Sequence, residues 1–244
     1  MKNILVLALL FSTSLMAQTP SPTVRICDEN GCSERPRDAV TFNPAAAGDT
    51  AAEQQAAKLI ALAEKDPRAA YDLGLRYFRG DSVRQDSYQA LKWMRDAADR
   101  HDLRVVTEVL SEHDVPLVAE HGDLLQIGSR NMANYSLLRT IARLHRPVLL
   151  KRGMAATVEE WLSAGEYCLL HGAASVIFCE RGIRGFDTTT RNLLDLGAVA
   201  LLSTVHKLPI IVDPSHGTGR RDLILPLSRA ALAAGAAGVM IETH

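Results

Sequence analysis

From Leu103 onward the chain repeats one pattern. Six apolar, β-branched runs, "RVVTEV", "DLLQIG", "PVLLKRG", "SVIFCERG", "LPIIVDPSH" and "GVMIETH", are separated by stretches such as "MAATVEEWLSAGEYCLLHG" that carry helix formers and end in Gly. Strands apolar on both faces, alternating with helices, predict a parallel sheet covered by helices. Ahead of this region the period changes. "AAEQQAAKLIALAEKD" repeats apolar residues every three or four positions, Pro67 opens a second helix, and Gly80 separates it from a third in "DSYQALKWMRDAADR". Residues 18–52, rich in Pro, Thr, Ala, Asp and Gly, show no sustained periodicity and are expected to be a linker. The opening "MKNILVLALLFSTSLMAQ" has one Lys, an apolar stretch too short to span a bilayer comfortably, and small residues around Ala17. It is expected to be a secretory signal peptide over residues 1–17, leaving no membrane span after its removal and sending the chain to the periplasm or outside.

Composition narrows the partners. The 244 residues are 47% hydrophobic and 23% charged with a net charge of -1, which supplies a sizeable core but no field for nucleic acid or an anionic membrane. Aromatic residues at 5% are too few for a base-stacking platform. A small molecule or another protein is the expected partner. Cys27 and Cys32 flank an Asn-Gly turn signal at a spacing that can close a small disulfide loop, whereas Cys168 and Cys179 sit in apolar surroundings and are expected to be buried, inert thiols.

Each strand ends in polar residues: Thr107 and Glu108, Gln126 and Arg130, Lys151 and Arg152, Glu180 and Arg181, Asp213 and His216, Glu242 and His244. One polar end per strand, always the same end, is how a (β/α) barrel assembles a site at its C-terminal face. Arg130, Lys151 and Arg181 would converge there, and two readings stand side by side. They hold a phosphate, or they pair with Glu108, Glu180 or a loop carboxylate. His216 and Glu242, at the ends of neighbouring strands, can face one divalent ion such as Mn, Fe or Zn.

Two resemblances follow. Ala70, Leu73, Gly74, Tyr77, Gly80, Val83, Asp86, Ala90, Trp93, Ala97 and Ala98 resemble one unit of the Sel-one-like repeat, a relative of the tetratricopeptide repeat, over residues 53–102. Its helices imply a protein-binding groove. The series "VVTEV", "LLQIGSRNM", "PVLLKRGMAATVEEWL", "VIFCERGIRGFDTTTRNLLDLGAV" and "LPIIVDPSHGTGRRDLILPLSRAALAAGAAGVMIE", from Leu103 to the end, resembles the DAHP synthases, in the branch that also holds the octulosonate phosphate synthases. That resemblance implies an incomplete (β/α)8 barrel of about six strands over residues 103–244. It implies condensation of phosphoenolpyruvate with erythrose 4-phosphate, a divalent metal, Mn, Fe, Zn or Co, as Lewis acid, and a cytoplasmic location, against the export that the opening residues suggest. Arg130, Lys151 and Arg181 would bind phosphoenolpyruvate, His216 and Glu242 would hold the metal, and Lys151, His216 and Glu108 would be catalytic. The family's Ala-Gly-Pro-Cys and Lys-Pro-Arg-Thr-Ser strands have no counterpart here, and its final acidic metal ligand would fall beyond Glu242. A fusion joined near Asp102 and an impaired synthase are therefore expected, either as a homo-oligomer or paired with a complete synthase subunit. The competing expectation is an exported helical-repeat interaction module carrying an inactive barrel fragment.

Overall fold

All six apolar runs become strands. The structure, a computed structural model, describes residues 7–9, 23–28, 31–36 and 50–242, with side chains from residue 56 onward. The expected signal peptide other than residues 7–9 lies outside the described residues, as do His244 and the side chains of Cys27 and Cys32. One parallel sheet contains, in spatial order, β1 (Leu7–Leu9), β4 (Val105–Glu108), β5 (Leu124–Ile127), β6 (Pro147–Lys151), β7 (Ser175–Glu180), β8 (Ile210–Val212) and β9 (Gly238–Val239). β4 to β9 are the six strands expected from the sequence. β1 was not expected as a strand; it pairs Leu7 with Val105 and Leu9 with Thr107 along the β4 edge. Among the described residues β1 and β9 do not pair, so the α/β architecture is an open part of a (β/α)8 barrel.

Six helices connect these strands: α4 (Val115–His121), α5 (Tyr135–Ala142), α6 (Val158–Leu170), α7 (Leu196–Ala200, continuing as a wider π turn through Val205), α8 (Pro214–Thr218) and α9 (Ile224–Ala233). α6 begins with a capping box, in which the Thr157 hydroxyl accepts from the Glu160 amide and the Glu160 carboxylate accepts from the Thr157 amide.

The strand period of two sorts the sheet's two faces. Leu125, Ile127, Val148, Leu150, Val176, Phe178, Ile210 and Val212 join the large core with Leu137, Ile141, Trp161 and other helix residues. The alternate positions Val106, Leu149, Cys179 and Met240, with Leu124, Ile177 and Ile211, form a separate small cluster on the other face. Continued past the strand ends, the second set leads to Glu108, Gln126, Lys151, Arg181 and Asp213; the first leads to Arg152 and Glu180.

Residues 12–102 form a second compact unit. Its helices are α1 (Thr50–Ala63), α2 (Pro67–Arg79) and α3 (Ser87–Arg100). Asp66 caps α2 by accepting from the Arg68 amide at 2.9 Å, Gly80 ends it at φ 74°, and Asp86 caps α3 by accepting from Gln89 at 3.0 Å. A Cβ on Gly74 would lie 2.7 Å from Met94 Cγ, so only glycine permits this close crossing of α2 and α3. Ala63, Ala70, Leu73 and Ala97 make the core, with Tyr77 and Trp93 packed against it.

Within residues 18–52, expected to be a linker with a possible disulfide loop, a hairpin stands where that loop was expected. β2 (Thr23–Asp28) and β3 (Gly31–Pro36) pair antiparallel, with Cys27 directly opposite Cys32. The alternation of Val24 and Ile26 with Arg25 and Cys27 carries the strand period, but over six residues it is too short to stand out from its polar surroundings.

Candidate active site

The C-terminal ends of β6 and β8 and the residues after β9 carry a connected set of charges. Lys151, whose side chain is 4% exposed, puts Nζ 2.5 Å from Asp213 Oδ2. Asp213 is the N-cap of α8: Oδ1 accepts from the His216 amide at 2.9 Å, and Oδ2 accepts from His216 Nδ1 at 2.7 Å. His216 Nε2 lies 3.5 Å from Glu242 Oε2. Glu242 is positioned in turn by its amide, which donates to Ser215 Oγ at 3.0 Å.

This chain answers why an Asp and a His stand three residues apart in "VDPSH". One turn of helix brings the carboxylate onto both the backbone and the ring of His216. With Nδ1 donating to Asp213, Nε2 faces Glu242. Burial pushes the Asp213 carboxyl up, but the hydrogen bonds from His216 and the charge of Lys151 outweigh it and hold the acid well below its usual range. Burial works to lower the Lys151 ammonium. The negative charges beside it, Cys179 if ionised and Asp213, prevail and raise it. Since burial pushes the Cys179 thiol up to about 12, Asp213 is the charge that matters near neutrality.

Arg181 has no such partner. Its Nε and Nη1 are buried without a hydrogen bond, and burial lowers its pKa despite the pull of Asp213. Buried donors left in this state are what an anion would satisfy. Arg130 sits after β5 on a short turn, Ser129–Asn131, where it is exposed and makes no ion pair among the described residues. Glu108 accepts from Gln126 Nε2 at 3.1 Å, and Gln126 Oε1 and Thr107 Oγ1 have no partner among the described residues. A Cβ on Gly128 would come 2.0 Å from Glu108 Oε1, so that glycine makes room for the carboxylate.

The pairing reading of the three cations therefore fails for Glu108 and Glu180. Neither carboxylate meets Arg130, Lys151 or Arg181 in an ion pair. The residue that takes Glu180 is Arg152, to which the sequence reading gave no role. Arg152 Nη1 lies 3.2 Å from Glu180 Oε2 and 2.9 Å from Asp195 Oδ2, and its Nε donates to the Ala156 carbonyl. The signal was present in the adjacent pairs Lys151–Arg152 and Glu180–Arg181, because neighbours along a strand point to opposite faces.

As a metal site, His216 Nε2 and Glu242 Oε2 offer two donors converging on one point, a combination that suits a divalent transition ion. Among the described residues no third His, Cys, Asp or Glu joins them. The residues fit two coordination positions of such an ion.

The model of the DAHP synthetase I family matches residues 76–244. The chain belongs to this family. A DAHP-synthetase-family match that starts at residue 76 begins within α2, upstream of Leu103, and includes all of α3. A phospho-2-dehydro-3-deoxyheptonate aldolase of Thermotoga maritima is 47% identical over 182 residues, covering 71% of this chain and 54% of the relative. A 2-dehydro-3-deoxyphosphooctonate aldolase of Methylibium petroleiphilum is 31% identical over 168 residues, covering 59% of this chain and 56% of the relative. The chain thus spans about half the length of the curated relatives it matches. Among solved structures, the Thermotoga maritima DAHP synthase crystal structure aligns at TM-score 0.61 and 50% identity, over 64% of this chain and 46% of that one. A truncated form of the Thermotoga maritima synthase aligns at TM-score 0.64 and 42% identity, over 74% of this chain and 71% of that one.

Proposed function

We propose that this chain carries the phosphoenolpyruvate-binding and metal-facing side of an aldol-type condensation with erythrose 4-phosphate that yields DAHP. The observation that carries this reading is the contrast among the charged groups at the strand ends. Arg181 holds two orphaned guanidinium nitrogens, while Lys151, Asp213 and His216 Nδ1 are paired with one another and Glu242 lies 3.5 Å beyond His216 Nε2. Arg181 binds the phosphate or carboxylate of phosphoenolpyruvate with its free donors, and Arg130 closes on the ligand from the rim. Lys151 neutralises Asp213 and presents its remaining ammonium protons to the same ligand. Glu108, held by Gln126 at the end of β4, would handle a proton of the reaction. A divalent ion held by His216 and Glu242 would polarise the aldehyde carbonyl.

Calorimetric titration of the full chain with phosphoenolpyruvate, with and without manganese, tests this reading. Saturable binding that manganese strengthens is expected. His216→Ala should abolish the manganese effect while phosphoenolpyruvate still binds. No binding to the folded chain would refute the proposal.

A further inference from the structure

The segment from Arg181 to Asp195 joins β7 to α7, and its two ends are gathered onto one carboxylate. Glu180, which is 0% exposed, accepts from the Gly182 amide at 2.7 Å and from the Asp195 amide at 3.5 Å through the same oxygen, Oε1. Its other oxygen faces Arg152. Between these ends the segment folds back on itself, with Ile183 and Leu193 exchanging backbone hydrogen bonds at 2.9 and 2.8 Å. The result is a strap with fixed ends.

The strap lies on α8, the turn that carries His216. The Asn192 amide donates to the Gly217 carbonyl at 3.0 Å, and the Arg191 amide donates to the Thr218 carbonyl at 2.9 Å. The Asn192 side chain, on a residue 5% exposed, donates through Nδ2 to the His216 carbonyl at 3.0 Å. This contact is close. Gly182 has φ +91°, and a Cβ there would meet Asn192 Cβ at 2.7 Å and Gly217 Cα at 3.0 Å. Closely packed backbones of this kind move together.

The first residue of the strap is Arg181, whose guanidinium is the unsatisfied group of the site. We propose that Asn192 is a positioning residue that couples occupancy of the Arg181 anion cradle to the placement of His216. The inference rests on the function proposed above. An anion that fixes Arg181 fixes the start of the strap, the strap fixes the His216 carbonyl through Asn192, and the imidazole then holds its line toward Glu242. Coupling of this kind is reciprocal, so a divalent ion at His216 tightens the anion cradle by the same factor.

Two measurements on the full chain test this. The first is calorimetry of manganese alone, phosphoenolpyruvate alone, and each with the other saturating, in the parent chain and in Asn192→Leu. The parent should show mutual tightening of about fivefold or more. Asn192→Leu should bring that factor close to one while each ligand alone binds about as in the parent. The second is hydrogen exchange on the unsubstituted chain, which needs no variant to fold. Phosphoenolpyruvate without metal should slow exchange of the Gly217 and Gly219 amides in the α8 turn. Coupling that survives in Asn192→Leu, or an α8 turn indifferent to the anion, overturns the positioning role. If both ligands bind the parent independently, only the coupling is wrong; if phosphoenolpyruvate does not bind the parent, the proposed function falls and the coupling with it.

Discussion

Arg152 and Arg181 stand at the ends of neighbouring strands, yet they belong to opposite kinds of environment. Arg152, 4% exposed, is spent on Glu180, Asp195 and the Ala156 carbonyl, with its guanidinium carbon 5.6 Å from the centre of the Trp161 ring. Arg181 points by strand parity to the other face, and two of its buried nitrogens have no partner. A buried charge with every donor used is scaffold. A buried charge with donors left over needs a water, an ion or a ligand to satisfy them. The difference lies in the pleat of two adjacent strands, since Lys151 and Arg181 take the face of the small cluster with Leu149 and Cys179, while Arg152 and Glu180 take the face of the large core.

The sharpest way to break this comparison is Arg152→Met. It leaves Glu180 charged, fully buried and without its cation, and removal of one partner of a buried pair costs about 3–5 kcal/mol. Urea unfolding should show that loss, and Arg152→Met combined with Glu180→Leu should recover a large part of it. If the single variant is as stable as the parent, Arg152 is not the scaffold charge described here.

A smaller effect separates Asp213 and Lys151 from the scaffold by pH. The Asp213 carboxyl is held below its ordinary value of 3.8, so its contribution to stability is complete above that pH and is lost as pH falls through its folded value. Lys151 is raised above 10.5, so its contribution is complete below that pH and is lost only in strong alkali. Glu180 works in the opposite sense, because burial raises its carboxyl and protonation relieves that burden. The urea midpoint of the parent should therefore fall as pH drops below about 4, and Asp213→Asn should flatten that limb. An acid limb unchanged by Asp213→Asn would assign the acid sensitivity to other carboxylates.

The sheet was legible in the sequence because each buried strand is a continuous apolar run, and no other element writes that pattern so plainly. The polar strand ends pointed to the site for the same reason: Lys151, Asp213, His216 and Glu242 interrupt apolar runs where a core would not tolerate them. What sequence could not supply was pairing. Asp213 is bound to both Lys151 and His216 across 62 and three residues of chain, and the first of those contacts depends on three-dimensional strand order. The β2–β3 hairpin was hidden by brevity and polar composition. β1 was hidden by its context, since a short apolar run near an N-terminus reads as an export signal before it reads as a strand. The extent of the family match was underread because the spacing of Ala90, Trp93 and Ala97 suits a helical repeat equally well, although α3 lies within the matched residues.

The smallest effect on stability should come from Arg181→Met, and that smallness makes it the best control on the comparison with Arg152. The two substitutions are chemically identical and lie one residue beyond neighbouring strands. At Arg152 the change removes satisfied bonds. At Arg181 it removes a guanidinium with two buried nitrogens that make no hydrogen bond, so no satisfied bond is lost. The expected change in unfolding free energy is within about 0.5 kcal/mol of zero, of either sign. Phosphoenolpyruvate binding should nevertheless be lost, since the free donors are gone. Unfolding and calorimetry on the same preparation read both quantities. A large loss of stability would mean that Arg181 is a structural charge with partners of its own, and the division of the sheet into a scaffold face and a ligand face would fail at the residue where it is drawn most sharply.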